Sequence, residues 1–371
     1  MAERKTGRES VTINPDVERA RLAFIGAGAM GSYIGGRIAQ AGYGVTLIDG
    51  WREHVEAIRS RGIQLGGTEG ESSVRVPALH FDDIAELAPA PVDIGFICVK
   101  SYDTEEAARL VHPYLAPDGF LVSLQNGIND PTLARVVGAE RTLGCIASTI
   151  GVALIGPGRV VRTYRPGGAA YTVFRVGELN GRITPRAELV VRLLQCVDSA
   201  QATDDLPGER WAKLAANSMH NGLAAVTGLG HKGIYAHEAL RRLAIRLGAE
   251  AVRVGRIAGL RLHPVRGIPA DDLEAAGYGD REAMRRVEER IEGWMPRLTD
   301  EGRPSTAHDI SNARRTEIDY INGAVCAKGS ELRIDVPSHH AIVALVRQVE
   351  RGGLQPSVDN VRDLQAQQPL C

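Results

Sequence analysis

From residue 21 the chain switches repeatedly between two hydrophobic periods. "RLAFI" is an unbroken apolar run, "GAGAMG" interrupts it, "SYIGGRIAQAG" carries apolar residues at helical spacing, and "VTLID" is a second apolar run. A short apolar run bounded by glycine reads as a strand buried on both faces, and the stretch between as an amphipathic helix. "VDIGFICVK" at 92–100 predicts a further buried strand, "TEEAARLVHPYL" a helix, and "GFLVSLQNG" at 119–127 another strand. Beyond residue 140, strand-like stretches punctuated by glycine and proline predict hairpin-like antiparallel additions to the sheet, and "PRAELVVRLLQCVDS" a helix closing this part near residue 200. From Glu209 on, long helical periods replace strand signals, as in "HEALRRLAIRLGAEAVRVGRIAGL".

The interruption after the first strand has chemical content. Gly26, Gly28 and Gly31 fit G-x-G-x-x-G between a buried strand and a helix. Glycine suits a tight turn, close approach of a pyrophosphate to the backbone, and close helix–sheet packing, while the amides of Ala29 and Met30 open the helix toward phosphate. The pattern predicts an α/β fold: a Rossmann NAD(P)-binding domain over 21–203 and an all-helical substrate and dimerisation domain over 204–371, after a flexible extension over 1–20. Asp49 ends the second strand, where a carboxylate accepts from ribose hydroxyls and repels a 2′-phosphate, so NAD is favoured over NADP. Arg52 offers a nearby cation that a phosphate would also suit. Lys100 and Asn126 stand where two strands run out, at the edge where open α/β sheets bind ligands, although Asn126-Gly127 is also an ordinary turn.

Charge narrows the partners. Net charge is -1, with acidic and basic residues interspersed, which gives no footprint for nucleic acid or an anionic membrane and points to small molecules or other chains. The five cysteines are scattered without ligand spacing, no metal site is expected, and a reduced, cytoplasmic protein is the simplest account. The most charged region, about 263–302, reads either as a solvated helical hairpin or as a lid or oligomer contact.

"ERWAKLAANSMHNGLAAV", 209–226, places Lys213, Asn217 and Asn221 four residues apart in an alanine-rich helical stretch. On one helix they would form a polar row rising about 12 Å. The alternative is a surface lysine followed by an Asn-Gly helix end. Residues 307–325 show helical periodicity with Ile310, Ile318, Ile321 and Val325 on a core face, and Glu317 and Asn322 on the same helix.

Taken together, "GAGAMGSYIGG", "VKSYDT", "SLQNG", "KLAANSMHN" and "PSTAHDISNARRTEIDYINGAV" resemble the ketopantoate reductase (2-dehydropantoate 2-reductase) family over most of 21–345. The resemblance implies reduction of a 2-oxo acid to a 2-hydroxy acid in a cleft between the two domains. Position by position it implies Lys213 as proton donor, Asn217 and Asn221 as substrate-binding residues, and Asn126 beside the nicotinamide and the reacting carbonyl. Lys100 falls near the cofactor, and Ser305 on the substrate carboxylate. Glu317 contacts the cofactor or supports the lysine. His231 stands about where some relatives place a further substrate-binding asparagine, and segment 263–302 is longer than the usual connection. A homodimer is implied as well. Two alternatives stay open: an NAD-dependent dehydrogenase of a different hydroxy acid or alcohol, and a non-catalytic dinucleotide sensor.

Overall fold

The structure is a computed structural model that describes residues 20–298 and 304–362. The expected extension, save its last residue, the end of the charged segment at 299–302, and residues 363–371 lie outside the described residues. The described strands are β1 (Arg21–Ile25), β2 (Gly44–Asp49), β3 (Ile63–Gly67), β4 (Ser72–Val74), β5 (Ala78–His80), β6 (Val92–Ile97), β7 (Leu115–Ser123), β8 (Thr142–Ala147), β9 (Val152–Gly156), β10 (Arg159–Arg162), β11 (Phe174–Glu178) and β12 (Ala200–Thr203).

Eight of them make one sheet in the order β12-β11-β8-β7-β6-β1-β2-β5. From β5 through β8 every pairing is parallel. Such strands are covered on both faces, which is why they read as continuous apolar runs. Helices 104–111 and 130–137 cover one face, and helices 29–40 and 185–195 the other. Strand order reverses between β1 and β6, so the crevice beyond their carboxyl ends is the natural ligand position.

The additions after residue 140 differ from expectation. β8 remains parallel to β7, and β11 runs antiparallel to β8. β9 and β10 do form a hairpin, but it leaves the main sheet and joins β3 and β4 in a second sheet of order β4-β3-β10-β9. The reason is burial: Leu65 and Val160 pack into the core beside helix 29–40, whose outer side would otherwise be bare. Helix 185–195 does not close this part either, because β12 follows it and pairs with β11.

After Thr203 the described residues are mainly helical. Helix Glu238–Ile257 runs through the middle and packs on helices 206–218, 270–277, 322–332 and 337–350. The charged segment folds as a hairpin of helices 270–277 and 281–294, the second capped by the Asp280 carboxylate accepting from Ala283 N. Leu273, Ala276, Ala283, Val287 and Ile291 are buried along its seam. Its charges therefore decorate the outside of an ordinary apolar contact.

Two predicted helices are broken. The stretch 209–226 divides into helices Leu206–Ser218 and Asn221–Thr227, with His220 in a non-helical conformation between them. The Ser218 carbonyl accepts instead from Asn322 Nδ2 at 3.0 Å, so a side chain from another helix stabilises the break. Asn221 thus opens the second helix rather than extending one row. The stretch 307–325 likewise divides into helices 305–311 and 322–332. Ala313 adopts φ 50, which a continuing helix excludes. Glu317 consequently sits in the connection, and Asn322 begins the next helix.

Candidate active site

The glycine turn is shaped as a cradle. Gly26 has φ +92, and a Cβ there would meet Val99 N at 2.5 Å; one on Gly31 would meet the Gly26 carbonyl at 2.3 Å; one on Gly28 would meet nothing within 4 Å. Two glycines are forced by crowding, and the third faces open space. The amides of Ala29, Met30 and Gly31 have no acceptor among the described residues, as at a helix start presented to an anion. At the end of β2, Asp49 Oδ1 accepts from Trp51 N at 2.9 Å; burial raises its carboxyl above the usual range, and that hydrogen bond works against the rise. Arg52 is turned onto Asp82 at 2.9 Å. These residues fit the pyrophosphate and adenosine ribose of a dinucleotide.

Beyond β6 and β7, the connecting loops meet the helical part. Lys100 Nζ lies 2.6 Å from Asp309 Oδ2 and 3.5 Å from Glu317 Oε2. Burial opposes its charge, but the two carboxylates outweigh burial and hold its pKa above the ordinary lysine value. Glu317 Oε1 accepts from Ser101 N at 3.0 Å and Ser101 Oγ at 2.7 Å. Glu317 therefore reaches Lys100 and Ser101, and no hydrogen bond or ion pair joins it to Lys213. Asn126 sits in a turn whose Gly127, at φ +76, would place a Cβ 2.9 Å from the Tyr320 carbonyl. Its backbone oxygen accepts from Ser101 Oγ and Asn129 Nδ2.

Asn217 Nδ2 donates to Asn126 Oδ1 at 3.3 Å across the cleft. The Asn126 amide donors and the Asn217 oxygen remain without partners among the described residues. One turn earlier, Lys213 is half-buried and makes no ion pair among them. Burial first, and then the positive charge of Arg266, lower its pKa to about 8. From the same helix, Arg210 pairs with Asp130 at 2.7 Å and donates to the Gln125 and Ser123 carbonyls, fixing the Asn126 loop against the helix that carries Lys213.

Asn221 is buried and turns its amide to no partner among the described residues. His231 stacks edge-on against His220 at 4.3 Å. The His220 pKa is held well below its ordinary value by burial, and further by His231, Arg266 and Lys213. That chain of neighbours brings His231 to the lysine's surroundings. Ser305 is the first residue of a seven-residue helix and makes no hydrogen bond among the described residues. Sequence reasoning missed Ser101, Asp309, Arg210, His220 and Arg266. Only Arg210, three residues before Lys213, carried a local signal.

Known proteins resemble this chain over nearly its whole length. The family description "Ketopantoate reductase PanE/ApbA" matches residues 22–175, and that of its C terminal part matches 205–350. A 2-dehydropantoate 2-reductase of Archaeoglobus fulgidus is 30% identical over 334 residues, 90% of this chain and 98% of the relative. A ketopantoate reductase of Ralstonia eutropha superposes with TM-score 0.73 at 29% identity, covering 90% and 99% of the two chains. A D-mandelate dehydrogenase, solved with NADH and anilino(oxo)acetate, shares the fold with TM-score 0.74 at 23% identity, covering 90% and 100%.

Proposed function

The chain belongs to the ketopantoate reductase family, oxidoreductases acting on CH–OH groups, and from that premise we propose that it moves hydride between a nicotinamide dinucleotide and a ketopantoate-like 2-oxo/2-hydroxy acid. The single observation that carries this reading is Lys213: an amine without a carboxylate partner among the described residues, its pKa lowered to about 8, one turn before Asn217, whose carboxamide meets that of Asn126 from the sheet part. A bound nicotinamide supplies or accepts the hydride. Lys213 stabilises the negative charge that develops on the carbonyl oxygen and gives it a proton; in the reverse direction the neutral amine takes the proton. Asn126, Asn217 and Asn221 orient the substrate with neutral donors and acceptors that leave the lysine's charge unpaired. Glu317 acts through Ser101 and Lys100, which it holds at the cofactor side, and Ser305 and His231 border the substrate.

Asp49 favours NAD over NADP, since a carboxylate at the end of β2 repels a 2′-phosphate and Arg52 is engaged by Asp82. The working unit is a homodimer formed through the helical domain, residues 204–371, in a reduced, cytoplasmic setting. The test is a spectrophotometric screen of 2-oxo acids, ketopantoate included, with NADH and NADPH, for the wild type and Lys213→Ala. The proposal expects NADH-dependent turnover that Lys213→Ala lowers by about 10²–10⁴-fold with NADH affinity kept. Equal turnover in the variant removes the role given to Lys213, and tighter NADPH binding reverses the cofactor preference.

A further inference from the structure

Val265 and Ile268 exchange backbone hydrogen bonds of 2.9 and 3.0 Å across a tight turn. Its two central residues, Arg266 at φ 51 and Gly267 at φ 79, are both left-handed. Glycine, asparagine and aspartate are the usual occupants of such positions, and a long side chain there costs about 1–2 kcal/mol. A residue held in this conformation is over-determined by its surroundings and invites the question of what it serves.

The guanidinium of Arg266 lies 5.1 Å from the centre of the Trp294 ring, and its Nε is buried with no hydrogen-bond partner among the described residues. Nearby arginines are neutralised: Arg256 meets Asp271 and Glu274, and Arg286 meets Asp272. Arg266 meets no carboxylate among the described residues. Its charge acts instead on Lys213, His220 and Tyr235. Two of these are themselves incomplete among the described residues: Tyr235 is 1% exposed with an unpartnered hydroxyl, and His220 is 4% exposed with an unpartnered Nδ1. Buried polar atoms are seldom left unpaired, and a cation withdrawn from water is costly unless an anion accompanies it. Tyr235 and Arg266 meet the same Trp294 ring, at 5.9 and 5.1 Å, and His220 packs on His231 of the helix that carries Tyr235. Such groups gathered about one arginine describe a place built for oxygen atoms that carry negative charge.

We propose that Arg266, Tyr235 and His220 form an anion subsite that seats the carboxylate of the 2-oxo acid beside Lys213. This rests on the reading of the site as that of a 2-oxo acid oxidoreductase. The planar fork of an arginine matches a carboxylate in two hydrogen bonds, a stronger and more directional hold than the Ser305 hydroxyl gives alone. It also assigns a purpose to the charged segment, in which Arg266, before the two helices, and Trp294, at the end of the second, meet each other.

The test compares the wild type with Arg266→Gln and Arg266→Lys. For NADH-dependent reduction of ketopantoate, 2-oxoisovalerate and phenylglyoxylate, Arg266→Gln raises KM by about 10–100-fold, the loss of a charge-assisted hydrogen bond. NADH affinity is unchanged, and Arg266→Lys and added guanidinium each recover part of the loss. Sodium oxamate, a carboxylate beside a carbonyl, is the probe that needs no turnover: with NADH present it raises the melting temperature of the wild type and not of Arg266→Gln. An oxamate shift that depends on Arg266 in a protein that reduces no 2-oxo acid sinks the functional reading and leaves the subsite standing. A KM within twofold of wild type, or an oxamate shift equal in both proteins, overturns the subsite. If Arg266→Gln does not fold, the same two readouts in Arg266→Lys decide, with unchanged values overturning it.

Discussion

On the proposed reading, Lys213 is suited to the chemistry because of what surrounds it. A lysine on an exposed helix keeps a pKa near 10.4 and gives up its proton too reluctantly for balanced transfer at neutral pH. Here burial and then Arg266 bring it to about 8, so the cation still dominates at pH 7 while the free amine is accessible. The same shift has a sign in stability. Folding lowers the pKa, so the folded chain holds this proton less readily than the unfolded one. The penalty is fully present below about pH 8 and fades as pH rises toward the unfolded value near 10.4. A Lys213→Met variant is therefore expected to be inactive yet more stable at pH 7, by on the order of 1–3 kcal/mol, a gain absent above about pH 10.5. Urea unfolding at the two pH values checks it, and a variant less stable at pH 7 contradicts the sign. Asp49 offers a second residue-scale test: Asp49→Ser is expected to narrow the preference for NADH over NADPH by about tenfold or more, worth about 1.4 kcal/mol, read as the ratio of kcat/KM values. No change in that ratio removes Asp49 from cofactor choice.

At the scale of elements, what the sequence foretold was set by local rules, and what escaped it was set by distant parts. The β-α-β unit around Gly26–Gly31 was legible because each apolar run and each glycine answers to its own neighbours. The row Lys213, Asn217, Asn221 was only half legible. Nothing local in "NSMHNG" announces that Asn322 will take the Ser218 carbonyl and end the helix there. Asn322 is fully buried, with Nδ2 also 3.3 Å from His339 Nδ1. Asn322→Leu is expected to destabilise the protein by about 1–3 kcal/mol, since buried polar partners lose their hydrogen bond. It is also expected to raise substrate KM by loosening the turn before Asn221. A denaturant series and steady-state kinetics check both, and wild-type values would show the break to be set elsewhere. Arg266 was illegible for the same reason, being far from Lys213 in sequence and close only through a turn and a hairpin. Removing its charge removes a cause of the lowered lysine pKa, so Arg266→Gln is expected to move the pH dependence of turnover to higher pH. An unmoved profile would mean that burial alone tunes Lys213.

Across the whole molecule, the cleft is held by polar contacts between the sheet part and the helical part. Arg210–Asp130, Lys100–Asp309, Ser101–Glu317 and Asn217–Asn126 all cross it. The two fold classes were visible in the change of hydrophobic period from Glu209 on. Their docking was not, because Asp130 and Arg210 each look like ordinary helix-surface charges until the parts meet. Both are nearly fully buried in this pair. Arg210→Ala leaves Asp130 without its partner and is expected to cost about 3–5 kcal/mol of stability, measured by thermal or chemical unfolding. A loss below about 1 kcal/mol, the usual worth of an exposed pair, would place the hold between the two parts elsewhere. The account as a whole stands on one proton. The most direct test is the pH dependence of kcat/KM, from about pH 6 to 10 around the pKa range of a tuned lysine, for NADH-dependent 2-oxo acid reduction and for the reverse oxidation. The expected result is a reduction rate that falls and an oxidation rate that rises through pH about 8, with neither limb present in the residual rate of Lys213→Met. Limbs that persist in that variant would contradict the role given to Lys213.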